Sequence, residues 1–410
     1  MSTEVPEGWT KIDLNREVEF LPGYPFDSES FNQEQGYPLI RIRDLLNHKT
    51  ETLFEGKVPD KYVVQKGDVL VGMDGDFNIV RWKGNQGLLN QRILRIRSKN
   101  ENALDTTFFY YYIDPFLKKI NARTGQTTVK HLSIYDFYPL DLYRPKIEVQ
   151  RRIAAILQSV DTAIDKTMEL IEKFKKMKQG LMQDLFMKGL NENGKMHLHL
   201  KDSELGLIPE EWSVWKIGEL YTNLSAGSTP SRNHPEYFKG EILWVTSGEL
   251  KYRVITDTIE KITEKAVRDT NLRVYQAGTF FIAITGLEAE GTLGSCAIIG
   301  KPATVNQSCM AFEKNRKMDT GFLFQYYRYY GKNLIFRYAQ GTKQQSIPRK
   351  VVEGIPIKVP PTIEEQKRIA DVLFKVDAKI YSEEEYLNKL TRIKEGLMQD
   401  LLTGRVQVAA

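Results

Sequence analysis

Two stretches of the chain carry apolar residues at alternating steps of three and four. In the later stretch they are Ile369, Leu373, Val376, Ile380, Leu387, Leu390, Leu397 and Leu401. In the earlier one they are Ile153, Leu157, Val160, Ile164, Ile171, Phe174, Leu181 and Leu185. A heptad-like stripe held over about five heptads predicts a long helix with a coiled-coil seam. Pro145 and Pro361 stand just before the two helices, where a proline costs least. Gly189 and Gly404 lie near their ends and can serve as stops. At 1.5 Å per residue, about 40 residues make a rod of roughly 60 Å. The most economical cover for each stripe is the other one. A pseudo-twofold relation would make the pair antiparallel, and that is the expectation.

Ahead of each stripe the pattern changes. Tyr62–Gln65, Asp68–Val71 and Arg92–Arg97 are short runs rich in β-formers, separated by glycine and turn residues. Ile242–Thr246, Thr279–Ile284 and Ser295–Ile299 resemble them. The aromatic clusters Phe108–Tyr112 and Phe322–Tyr330 fit helices packed on those strands better than strands. The fold class that follows is α+β: two α/β globular parts related by a pseudo-twofold, joined by two long helices packed as an antiparallel coiled coil.

The two halves are copies of one unit. Residues 148–185 align without a gap with 364–401, and 18 of the 38 positions are identical, ending on Gly-Leu-Met-Gln-Asp-Leu in both. Earlier segments correspond more loosely. Val5-Pro-Glu-Gly-Trp9 is echoed by Ile208-Pro-Glu-Glu-Trp212, Leu89-Asn-Gln-Arg92 by Val305-Asn-Gln-Ser308, and Gly125-Gln-Thr-Thr128 by the region of Gly341-Thr-Lys-Gln344. The expected division is 1–145, a first globular part; 146–190, its helix; 191–205, a polar linker; 206–360, a second globular part; and 361–404, its helix.

Composition narrows the classes without choosing one. The 410 residues exceed what one core usually organises. Cys296 and Cys309 are too few for a disulfide scaffold or a four-cysteine zinc site, and they suit a reducing cytosol. No apolar run approaches the roughly 20 residues of a membrane span, and the first ten residues lack the pattern of a signal peptide. A net charge of +5 permits a nucleic-acid partner.

Common catalytic constellations are missing. There is no G-x-x-x-x-G-K-[ST], no adenine-methyltransferase Asn/Asp-Pro-Pro-aromatic run and no serine-nucleophile elbow. Glu55-Gly-Lys57 precedes Pro59-Asp60, the reverse of a nuclease order. Gly72-Met-Asp-Gly75 reads as a turn after a strand, because the nucleotide-loop spacing fails. His197 and His199 have no third ligand nearby and read as part of a solvated linker. No metal, cofactor or catalytic residue is expected. A duplicated chain without a catalytic signature reads as a reader or a scaffold.

Two unlike β-rich modules, each followed by a matched helix carrying Gly-Leu-Met-Gln-Asp-Leu, resemble the specificity subunit of type I restriction-modification systems. The resemblance covers nearly the whole chain. It rests on Ile208-Pro-Glu-Glu-Trp212, on Pro145-x-x-Glu148-x-Gln150-x-Arg152-Ile153 with its copy at Pro361-x-x-Glu364-x-Gln366-x-Arg368-Ile369, and on the segment Gly341–Ile347. It implies two target-recognition domains reading the halves of a split double-stranded DNA sequence. It also implies two methyltransferase subunits that modify one adenine in each half-site, motor-nuclease subunits for restriction, and a cytoplasmic complex without a membrane partner. The rod then acts as a ruler, since half-sites on one face of B-DNA lie about 34 Å apart. The alternatives are a coiled-coil scaffold that binds proteins only, or a DNA methyltransferase.

Candidate DNA contacts are polar or basic side chains in turns and loops. In the first half they are Arg41, Arg43, Asn78, Arg81, Lys83, Arg123, Gln126, Thr127, Thr128 and Lys130. In the second they are Ser228, Thr229, Arg232, Ser247, Lys251, Thr342, Lys343, Gln344, Gln345 and Arg349. The alternative for each is an ordinary solvated loop. On the helices, the identical pairs Gln183-Asp184 and Gln399-Asp400 are candidates for methyltransferase docking or for a polar contact between helices. Gly180 and Gly396 cost about 1 kcal/mol each within a helix, which argues for close helix approach. Residues 1–145 carry 19 basic and 20 acidic side chains, whereas 206–360 carry 20 and 15. A first module at −1 is a poor phosphate clamp by bulk charge, so weak DNA binding by the chain alone is expected.

Overall fold

A computed structural model describes residues 5–123, 130–285, 294–338 and 347–408. The chain forms two compact units. Unit 1 comprises residues 1–169 and 384–410, and unit 2 comprises 170–383. Among the described residues no helix is long and apolar enough to cross a membrane.

Unit 1 contains β1 (Val18–Pro22), β2 (Tyr37–Ile40), β3 (Val69–Gly72), β4 (Ile79–Arg81), β5 (Gly87–Leu89), β6 (Ile93–Ser98) and α1 (Thr106–Arg123). The long helix α2 spans Ile147–Lys188 and runs on into unit 2. β1, β6, β3 and β4 form an antiparallel sheet in that order, while β2 pairs with β5 in parallel. In unit 2 the counterparts are β7 (Ile242–Val245), β8 (Phe280–Ala283), β9 (Cys296–Ile299), β10 (Ala303–Val305), β11 (Cys309–Phe312) and α3 (Thr320–Tyr338). The second long helix, α4, spans Ile363–Leu401 and returns to unit 1. β8 lies between β11 and β9, both antiparallel, and β7 pairs with β10 in parallel.

The aromatic clusters form helices, as their pattern requires. Phe108, Phe109, Tyr111 and Tyr112 of α1 pack into one core with Val69, Val71, Leu94 and Ile96 of the sheet. Phe322, Leu323, Phe324, Tyr326 and Tyr327 of α3 do the same with Phe280, Ile282 and Phe312.

The repeated motif before each stripe has a physical function. Gln150 and Gln366 are fully buried near the starts of α2 and α4. The Gln150 Oε1 accepts the Asp105 N–H (2.9 Å), and its Nε2 donates to the carbonyls of Ala103 (3.1 Å) and Pro145 (2.8 Å). Gln366 does the same with the Asp319 N–H (2.7 Å) and the carbonyls of Lys317 (3.2 Å) and Pro360 (3.3 Å). The carboxylates of Asp105 and Asp319 in turn accept N–H groups in the first turns of α1 and α3. One glutamine thus fastens the module's helix to the long helix in each unit.

Within each unit the two long-helix segments run antiparallel. In unit 2, Lys178 Nζ meets Asp377 Oδ1 at 2.6 Å, and just past the end of α2 the Leu190 N–H reaches Glu365 Oε1 at 3.0 Å. An advance from 178 to 190 on one strand of the pair is matched by a retreat from 377 to 365 on the other. In unit 1, Lys394 Nζ meets Asp161 Oδ1 at 2.7 Å. Lys178 and Lys394 are equivalent in the repeat, as are Asp161 and Asp377, so the same ion pair forms twice with the helices' roles exchanged. Each aspartate also receives a donor from its module's helix: Tyr111 Oη–H on Asp161 and Gln325 Nε2–H on Asp377.

Two expectations need correction. A Cβ built at Gly180 or Gly396 would meet nothing within 4 Å, and both glycines are exposed, so close helix approach does not account for them. The stripe's ends are instead covered by module cores. Ile153, Leu157 and Leu401 enter the unit 1 core, and Leu185, Phe186, Ile369 and Leu373 enter that of unit 2. His197 is not solvated either. Its side chain is 14% exposed, and its Nε2 lies 3.0 Å from Glu365 Oε1, an oxygen shared with the Leu190 N–H and Trp212 Nε1. Gly189 and Gly404 do stop their helices, with φ of +61° and +66° that favour glycine.

Candidate nucleic-acid interface

In each unit three segments meet at one corner, and backbone hydrogen bonds define it. The Met73 N–H, just past β3, donates to Arg92 O, and the Leu132 N–H donates to Met73 O. In unit 2 the Ile284 N–H, just past β8, donates to Ser308 O, and the Ile347 N–H donates to Ile284 O. So the end of the central strand, the exit of the Asn-Gln turn and the segment after the glycine-started loop converge in the same way twice. The parallel pairs add a fourth segment. Ile40 faces Leu89 and Val245 faces Val305, so the 3₁₀ turns beginning at Arg41 and Thr246 emerge beside Asn90 and Asn306. Loops outside the carboxyl ends of parallel strands form a ready crevice for a ligand.

In unit 1 this corner holds several of the residues expected to meet DNA. Arg41 and Arg43 flank a tight turn whose buried Asp44 accepts the Arg41 N–H (2.9 Å), and Arg43 Nη2 donates to Thr52 Oγ1 (3.1 Å). Asn78 closes the turn after β3 through its carbonyl, which accepts the Gly72 N–H. Lys130 Nζ donates to Asn121 O (3.0 Å) and Oδ1 (2.8 Å), and Asn121 Nδ2 donates to Gly75 O (2.6 Å). Two of the three ammonium donors of Lys130 therefore brace the corner. Arg123 ends α1, exposed, on the far side of the same loop.

The other candidates divide. Arg81 and Lys83 lie at the opposite end of the β3–β4 hairpin. Arg81 Nε donates to Gly67 O (3.4 Å), and Lys83 Nζ pairs with Asp165 of α2 at 2.5 Å. Beside them, burial and then Lys83 push the His48 imidazole below its ordinary value. In unit 2, Ser228 and Thr229 border the corner: the Ser228 N–H donates to Val305 O, and the Thr229 hydroxyl donates to Gln307 Oε1. Arg232 lies over the Phe238 ring at 4.2 Å and the Trp244 ring at 5.5 Å, while Trp244 Nε1 donates to Ser228 O. A two-toothed contact with Glu260 (2.5 and 2.7 Å) fixes Arg232 and holds that carboxyl below its usual range. Ser247 starts the 3₁₀ turn, and Lys251 follows it with φ of +39°. Arg349 is engaged by Glu353 (2.6 Å) and Thr222 O (3.0 Å). Gln126, Thr127, Thr128, Thr342, Lys343, Gln344 and Gln345 lie outside the described residues.

Some residues at the corner carried no sequence expectation. Asp74 bridges Arg92 (3.5 Å) and His131 (2.7 Å), which makes a charged network at the corner of unit 1. Arg92 stood in a repeated segment, so the repeat itself was the signal. On the helices, Gln183 and Gln399 are exposed and Asp184 and Asp400 half-buried. Their ion pairs are local, Asp184 with Lys188 (2.9 Å) and Asp400 with Arg405 (3.6 Å).

The family model for the type I restriction modification DNA specificity domain matches residues 6–176 and again 209–392. The EcoBI specificity subunit of Escherichia coli is 34% identical over 217 residues, 51% of this chain and 46% of that protein, so the chain spans about half the length of that relative. The MjaVIII specificity subunit of Methanocaldococcus jannaschii is 25% identical over 98% of this chain and 94% of its own length. The fold is similar to that of the type I restriction-modification S subunit from M. genitalium, with a TM-score of 0.67 at 18% identity over 97% of this chain and 99% of that one. The chain therefore belongs to the type I restriction-modification DNA specificity family and carries the family's domain twice, once in each half of the sequence.

Proposed function

We propose that the chain is the DNA-reading, non-catalytic subunit of its complex, and that each unit reads one half of a split target through the corner described above. The observation that carries this is the recurrence of one loop junction, built by equivalent hydrogen bonds but lined by different side chains. A constant frame with variable lining is what two readers of different half-sites need. In unit 1 the readers are Arg41, Arg43, Asn78, Arg123, Lys130 and the loop with Gln126, Thr127 and Thr128. In unit 2 they are Ser228, Thr229, Arg232, Ser247, Lys251, and the segment from Thr342 to Arg349. Residues 1–145 and 206–360 are assigned as the recognition domains. α2 and α4, continuous helices of 42 and 39 residues, are the element whose length sets the spacer. Two methyltransferase subunits dock on the helices, one at Gln183-Asp184 and one at Gln399-Asp400. The identity of these pairs and the exposure of Gln183 and Gln399 support that assignment, and motor-nuclease subunits join the same complex.

The test is selection from a random duplex library by the chain assembled with its methyltransferase partner. A consensus in two blocks separated by a fixed run of unspecified bases supports the proposal. A continuous consensus, or no enrichment, favours a protein-only scaffold.

A further inference from the structure

The two corners share an exposed glutamine at equivalent positions. Asn90-Gln91 and Asn306-Gln307 occupy equivalent four-residue turns: the Ile93 N–H closes one on Asn90 O, and the Cys309 N–H closes the other on Asn306 O. The asparagines have a structural explanation. Asn90 Oδ1 accepts the Gln91 N–H (2.7 Å), and Asn306 Oδ1 accepts the Ser308 N–H (3.1 Å). The N–H groups of the glutamines do not. Both are exposed, and the Gln91 amide makes no hydrogen bond to the described residues. In unit 2 the Thr229 hydroxyl holds the Gln307 carbonyl, so what Gln307 presents outward is its N–H groups.

Neighbouring positions differ between the units: Arg92 against Ser308, Tyr24 beside Asn90 against Ser228 beside Val305. Side chains that read two different half-sites must differ. An identical exposed amide in both modules therefore meets something the half-sites have in common, either the adenine that each carries for methylation or the backbone. The phosphodiester backbone is common to every step, and amide N–H groups are ordinary phosphate donors. Glutamine pairs with adenine through its carbonyl and its N–H groups together, and in Gln307 the carbonyl is already held by Thr229.

Resting on the DNA-reading proposal above, we propose that Gln91 and Gln307 are equivalent phosphate clamps, one for each half-site, which set each module's register without reading a base. The experiment compares Gln91→Ala, Gln307→Ala and Gln91→Lys, each as the full chain assembled with methyltransferase, on the duplex that the wild type selects. At one fixed salt concentration each alanine variant should bind about tenfold more weakly, the scale of one hydrogen bond to a charged group. Its selected consensus should be unchanged. Phosphate-ethylation interference should disappear at one position, in one half-site for Gln91→Ala and in the other for Gln307→Ala. Gln91→Lys, which restores a donor, should recover binding, and this separates a lost contact from a misfolded turn. Unchanged affinity, or a preference altered at one base (adenine pairs well with glutamine), overturns the clamp. A wild type that selects no split consensus instead removes the parent proposal, before any variant is compared.

Discussion

Replacing Gln366 by leucine isolates the contact that fastens the module's helix to the long helix in unit 2. The side chain is 1% exposed and meets three backbone groups: the Asp319 N–H and the carbonyls of Lys317 and Pro360. Leucine is of similar size, so little cavity is created, but one donor and two acceptors are left in a dry site. At about 1 kcal/mol for each group the loss is about 3 kcal/mol. A typical domain has about 5–15 kcal/mol in all, so the variant still folds and the change is measurable. With a urea slope of about 2 kcal/mol per molar, the midpoint of unit 2 moves down by about 1.5 M. Gln150→Leu should do the same to unit 1, with no shared partner and hence additively. Circular dichroism during urea titration of each variant and of the double variant is the assay. A loss under about 1 kcal/mol, or a double variant no worse than either single one, would refute the reasoning that these glutamines act as separate buried clamps.

Other perturbations bear on the helices. Gly180→Ala and Gly396→Ala should each stabilise the chain by about 0.5–1 kcal/mol in thermal unfolding, because the added Cβ meets open space in a helix. A lower Tm would show a steric role there. Burial raises the Asp377 carboxyl, but Arg328, Lys178 and Gln325 outweigh it, so its pKa lies below the ordinary carboxylate value. Its contribution is therefore present above the unfolded-state pKa of about 4 and is lost as the pH falls below that. Asp377→Asn should cost about 2 kcal/mol at pH 7, between the exposed and buried limits for an ion pair, and much less at pH 2.5; an equal cost at both would contradict the assignment. Inserting one helical turn in both α2 and α4 should lengthen the selected spacer and leave both half-sites alone. An unchanged spacer would end the ruler idea.

Much of this was legible in one sequence because it repeats itself. The stripes predicted the long helices, and Pro145, Pro361, Gly189 and Gly404 marked their ends. The same alignment already displayed Asp161 with Asp377, Lys178 with Lys394, and Gln150 with Gln366 as identical pairs. Their function was hidden because it depends on which helix faces which, and a stripe does not encode direction. Gly180 and Gly396 misled for a related reason: identity signals a shared constraint but not whether it acts inward or outward. The candidate corner was legible only as separate segments. Met73, Arg92 and Leu132 are far apart along the chain, and the sheet order that joins them depends on long-range pairing.

The claim that each unit reads its own half-site is tested most directly by repeating the duplex selection with Arg41, Asn78 and Arg123 changed to alanine, all three in unit 1. The account predicts that one block of the consensus loses base preference, each lost base contact costing about 1–3 kcal/mol, while the other block and the spacer stay as they were. Degradation of both blocks together, or of neither, would contradict it.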